Sequence, residues 1–66
     1  MRLKVNGETK EYESELTLLE MMKKLGISDK VMAAAVNMNI VKQESWKTYL
    51  LKDEDKVELL DFVGGG

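Results

Sequence analysis

The sequence predicts an α+β fold, a mixed sheet of four or five strands with one main crossover helix. Three observations carry that prediction. Met1 to Val5 alternates apolar and charged residues and runs straight into Asn6-Gly7; Leu18, Met21, Met22 and Leu25 recur at helical spacing; and two further apolar stretches, Val31 to Val36 and Val57 to Val63, follow that helix. Strand, turn, strand, helix and returning strands leave few topologies open.

In the first stretch Met1, Leu3 and Val5 lie on one face and Arg2 and Lys4 on the other, the period of a half-buried strand. Asn6-Gly7 then closes a hairpin, because both central positions of a type I′ turn need positive φ, which Asn tolerates and Gly adopts freely. The second strand is expected from Glu8 to Glu13. A two-residue turn sets Arg2 opposite Glu11, a favourable cross-strand pair, and the scarcity of apolar residues points to the sheet edge.

Thr17 and Glu20 form a capping-box pattern at the start of the helix, with Leu16 placed to staple against Met21. Gly26 ends it as a residue able to turn left-handed, Ile27 reaches back toward Met22, and Lys23 and Lys24 suit the negative end of the helix dipole.

After Ser28-Asp29-Lys30, the continuous apolar run Val31 to Val36 reads as a strand buried on both faces, although its three alanines are poor strand formers. Asn37-Met38-Asn39 supplies a turn with two asparagines tolerant of positive φ, and Ile40-Val41 a very short strand. Gln43-Glu44-Ser45 is placed as a single helical turn, with Trp46, Tyr49, Leu50 and Leu51 covering one end of the core. Asp53-Glu54-Asp55 reads as a solvated turn rather than a metal site, since it lacks the spaced ligands and glycine of a calcium loop. The last strand, Val57 to Val63, alternates at Val57 and Leu59; Leu60, Phe62 and Val63 then break the pattern, as a bulge or a change of exposure would. The whole is a β-grasp roll over residues 1–63, followed by a flexible glycine tail over 64–66.

Composition narrows the function. With 66 residues there is room for one domain, and without Cys or His there is no thiol nucleophile, imidazole base or zinc site to make it an enzyme. Ten basic against 12 acidic residues give a net charge of -2, which offers no field for nucleic acid. No apolar run is long enough to cross a bilayer and the N-terminus has no signal-peptide pattern, so a cytoplasmic protein is expected. What stands out is the end of the sequence. Gly64, Gly65 and Gly66 carry nothing to bury, and they leave a sterically bare α-carboxylate on Gly66. Just before them, Leu60, Phe62 and Val63 form an apolar cluster of the kind that docks a partner.

The order of the N-terminal hairpin, the Thr17-to-Leu25 helix, Ala35-Val36-Asn37-Met38-Asn39-Ile40-Val41, Trp46, the acidic turn before Val57-Glu58-Leu59 and the end Phe62-Val63-Gly64-Gly65-Gly66 resembles the ubiquitin-like sulfur carriers, closest to their ThiS branch in thiamine biosynthesis. The resemblance covers essentially the whole chain. It implies a β-grasp (ubiquitin-like) carrier and substrate of other enzymes, with no catalytic residue or cofactor of its own. An E1-like, ThiF-like adenylyltransferase using ATP and Mg²⁺ would adenylate Gly66, and a sulfur-donor enzyme would make it a thiocarboxylate. A ThiG-like thiazole synthase would then take the sulfur. Gly64 and Gly65 would thread the partner's active site, with Leu60, Phe62 and Val63 docking beside it.

Two positions depart from the pattern: Lys42-Gln43 stands where such carriers often have Pro-Arg, and Glu54 where they often have glycine. The competing expectations are the small subunit of molybdopterin synthase, a carrier serving cysteine or homocysteine synthesis, and a ubiquitin-like binding module. The first tends to carry a Pro before the glycines, and this chain has no Pro. The last would tolerate loss of Gly66.

Overall fold

The computed structural model describes residues 1 to 61. Five strands form one sheet: β1 (Arg2–Val5), β2 (Glu8–Glu11), β3 (Val31–Val36), β4 (Asn39–Val41) and β5 (Lys56–Asp61), in the order β2-β1-β5-β3-β4. A single helix, α1 (Leu18–Lys24), joins β2 to β3, and a 3-10 turn, Gln43–Ser45, follows β4. Strands β1 and β5 run parallel and the other pairs antiparallel. This is the expected β-grasp arrangement, with β5 at the centre between the two hairpins.

The local signals act where the sequence placed them. Asn6 and Gly7 both have positive φ, 50° and 87°, and Arg2 pairs in register with Glu11. Among the described residues the ion pair that Arg2 makes is with Glu54, at 3.4 Å, rather than with Glu11. The second strand stops at Glu11 rather than Glu13. Beyond it Tyr12 donates its backbone N–H to Met1 O and accepts from the N-terminal ammonium, which uses up the pairing partners that β1 has to offer.

The capping box of α1 is complete: Glu20 N donates to Thr17 Oγ1 at 3.1 Å and Thr17 N to Glu20 Oε1 at 2.8 Å. Such a cap is worth about 1 kcal/mol. At the other end Gly26 turns left-handed with φ 73°, while Gly26 N donates to Lys23 O and Ile27 N to Met22 O. That pair of bonds is a Schellman motif, which satisfies carbonyls the helix would otherwise leave orphaned. Leu18, Met21 and Met22 are buried in one cluster with Leu3, Val36 and Val57 from the inner face of the sheet. Each such burial stabilises by roughly 1.5–3 kcal/mol.

Trp46 closes one end of the core, buried, with its indole N–H donating to Val41 O at 2.8 Å. Leu51 is buried beside it, whereas Leu50 points outward, because Leu51 N and Leu18 N bond Leu16 O and Tyr49 O and so fix this segment as an extended strap along the helix start. The acidic turn is not simply solvated. Asp53 Oδ1 accepts from Arg2 N, and Asp55, only 8% exposed, accepts from Asn37 Nδ2 at 2.9 Å and Lys52 N at 2.8 Å.

Candidate functional site

The site begins with the central strand. Along β5 the side chains of Val57 and Leu59 point into the core, so Lys56, Glu58 and Leu60 face the other way. Backbone and side-chain bonds from both hairpin turns fasten the strand. At its start Asn37 N donates to Lys56 O at 2.7 Å and Lys56 N to Asn37 Oδ1 at 3.0 Å. Nearer its end Asn6 N donates to Val57 O at 2.9 Å and Leu59 N to Asn6 Oδ1 at 2.8 Å.

Leu60, expected to dock a partner, is 62% exposed on the outer face of the sheet. Register brings it beside residues the sequence reading did not single out. Leu60 pairs with Ala33, Glu58 with Ala35, and Ala35 in turn with Ile40, which is 74% exposed. Together they line a shallow depression of about 420 Å³ with Asn6 at its rim. The expectation that β3 is buried on both faces is therefore corrected. Its Ala34 and Val36 face the core, while Ala33 and Ala35 are half-buried and Met32 is exposed, because among the described residues no second layer covers the outer face. A period-2 reading of the alanine run, with Ile40 laid antiparallel across it, is the signal that would have found this surface.

The break in pattern expected near the end of β5 is an irregularity in its pairing with β3. Val31 pairs with Asp61 and Ala33 with Leu60, so Met32 is the extra residue, on β3 rather than β5. Phe62 and Val63, expected to dock with Leu60, and Gly64, Gly65 and Gly66, expected to thread a partner and carry its chemistry, lie outside the described residues. The strand that leads to them ends at Asp61, next to the open apolar face.

Among the described residues no group of three His, Cys, Asp or Glu side chains is placed to hold a metal ion, and no helix is long and apolar enough to cross a membrane. The acidic turn is committed to bonds within the fold. The features left for interaction are the open face and the end of β5.

Comparison with known proteins bears on the same features. The family model described as the ThiS family matches residues 3–66, the terminal glycines included. A crystal structure of a thiamine biosynthesis protein (ThiS) from Geobacter metallireducens superposes with a TM-score of 0.81 at 30% identity, covering 100% of both chains. Two proteins named thiazole synthase, from Paramagnetospirillum magneticum and Magnetococcus marinus, match all 66 residues at 32% and 29% identity. The chain spans 20% of the length of each of these.

Proposed function

The chain belongs to the ThiS family, and from that premise we propose that it carries sulfur for thiazole formation in thiamine biosynthesis, on the carboxylate of Gly66. The observation that carries the proposal is the match of the family pattern through the last glycine, on a fold whose central strand ends at Asp61, five residues before it in sequence. A carboxylate is a poor electrophile until one oxygen belongs to a good leaving group. An E1-like partner holding ATP and Mg²⁺ would supply that: a Gly66 oxygen attacks the α-phosphorus, pyrophosphate leaves, and an acyl-adenylate forms. A persulfide on a donor enzyme then displaces AMP to give an acyl disulfide, and a second thiol attacks the donor's own sulfur, so that a disulfide forms on the donor side and the thiocarboxylate leaves. Glycine at 64, 65 and 66 places no Cβ near the attacked carbonyl or the walls of a narrow channel.

The acceptor in this reading is a thiazole synthase. Support comes from the proteins of that name in which a segment like this chain makes up a fifth of the length. Covalent linkage raises effective concentration and is a common solution for components that must meet. The open face of Leu60, Ala33, Ala35 and Ile40, beside the end of β5, would seat such partners while the tail enters their active sites. The reading places the chain among substrates rather than enzymes, in the cytoplasm where the activating enzyme and ATP would be found.

Incubation with an E1-like partner, ATP, Mg²⁺ and a sulfur donor, followed by intact-mass measurement, is expected to show one oxygen replaced by sulfur at Gly66. Removing Gly65 and Gly66 is expected to abolish the product. Failure of the full chain to acquire sulfur with partners verified on another carrier would exclude the reading.

A further inference from the structure

We propose that Asn6 is a positioning residue for the reacting terminus, a side-chain clamp that fixes the direction in which β5 delivers the chain to its partner. The inference rests on the carrier reading above, but the observation behind it is independent of that reading. In a regular parallel ladder a residue of one strand donates its N–H to the carbonyl before its partner and accepts from the N–H after it. Lys4, paired with Lys56, follows the rule with Lys4 N donating to Asp55 O at 3.0 Å. Asn6 is the next residue of β1's line to offer its groups toward β5, and it obeys half the rule: its N–H donates to Val57 O at 2.9 Å.

The other half belongs to the Leu59 amide, which in a regular ladder would donate to the backbone carbonyl of Asn6. The hairpin forbids this. With φ 50° Asn6 has already entered the left-handed turn, where its backbone no longer follows the strand. Its side chain replaces the lost acceptor, with Leu59 N donating to Asn6 Oδ1 at 2.8 Å across 53 residues of sequence. The sheet is thereby extended one bond past the end of β1, two residues before Asp61. On this side the chain turns off at Gly7 to form β2, so β1 offers no backbone beyond Asn6 to guide the last part of β5.

Asn is suited to both tasks, since it tolerates positive φ and carries a carbonyl at the length needed. Gly would keep the turn and lose the clamp; Asp would keep both, because a carboxylate also accepts from an amide and Asp also enters left-handed turns. A strand end held in one direction spares the partner the cost of ordering it, so loss of the clamp should appear in KM rather than kcat.

The test compares the full chain with Asn6→Gly, Asn6→Asp and Thr17→Ala as substrates of the activating partner, at a temperature where all are folded. Asn6→Gly is expected to raise KM at least fivefold with kcat within twofold, and Asn6→Asp to restore KM to within twofold of the unaltered chain. Thr17→Ala, which loosens the helix cap away from β5, is expected to leave both constants unchanged. Equal KM for Asn6→Gly and the unaltered chain, no rescue by Asp, or an equal rise in Thr17→Ala would each overturn the proposal. Amide hydrogen exchange of the proteins alone gives a second readout, with Leu59 exchanging at least tenfold faster in Asn6→Gly while Val5 changes little. Unchanged Leu59 exchange would also overturn it. If the unaltered chain is not adenylated at all, the carrier reading fails, and the exchange result alone decides on the clamp.

Discussion

The two hairpin turns use the same device on either side of Val57 in the central strand, and they differ in what surrounds it. At Asn6-Gly7 the φ values are 50° and 87°, at Asn37-Met38 they are 51° and 72°. In both the asparagine donates its backbone N–H to a carbonyl of β5 and accepts from a β5 amide on its side-chain oxygen. Among the described residues only Asn37 also spends its side-chain N–H, on the buried Asp55. Only the first turn ends in glycine; in the second a methionine occupies the left-handed position with its side chain 86% exposed. The start of β5 is thus tied into a buried polar knot. Toward β1 the later part of β5 meets the side-chain acceptor of Asn6, while its pairing with β3 runs on to Asp61.

Replacing the two asparagines by glycine, which preserves both turns, should therefore have unequal effects. Asn37→Gly removes the partner of a buried carboxylate together with a bond to Lys56 N, and about 3 kcal/mol of stability should be lost. Asn6→Gly removes one neutral bond and should cost about 1 kcal/mol. Urea denaturation midpoints would measure both, and equal costs would break the comparison. Gly7→Ala places a Cβ at φ 87°. A loss of about 1–2 kcal/mol is expected from backbone strain alone, since nothing lies within 4 Å of the added carbon.

The smallest effect sharpens the second turn. Met38→Gly relieves a similar strain at φ 72° but adds freedom to the unfolded chain, so a net gain of about 0.5 kcal/mol should appear as a rise of a few degrees in Tm. A fall in Tm would show that the methionine packs. Such a gain obtained at the expense of transfer to a partner would mean that the exposed side chain is kept for contact rather than for folding.

Much of this protein was legible residue by residue. Asn6-Gly7 announced the first hairpin, Thr17 with Glu20 and Gly26 with Ile27 marked both ends of α1, and Trp46 announced its place in the core. These are short-range signals, in which a residue type meets a local backbone requirement. The exposure of Leu60 was legible for a similar reason, since an apolar residue out of phase stands out in a short chain. The open face was not. Val31 to Val36 is apolar throughout, and such a run fits a strand covered on two faces as well as one covered on one. Glu54 is a further case: the resemblance implied a glycine at this position, and its φ of 72° is the conformation that glycine takes without strain.

The sequence by itself therefore determined the elements, their order and the glycine end, because turns, caps and periodicity are written within a few residues of one another. Tertiary structure alone decided which face of β3 stays uncovered, which residues join Leu60 there, and that Asn6 and Asn37 clamp β5. Each of those facts depends on strands far apart in sequence coming into register, and no local propensity encodes a bond that spans 53 residues, as Leu59 to Asn6 does.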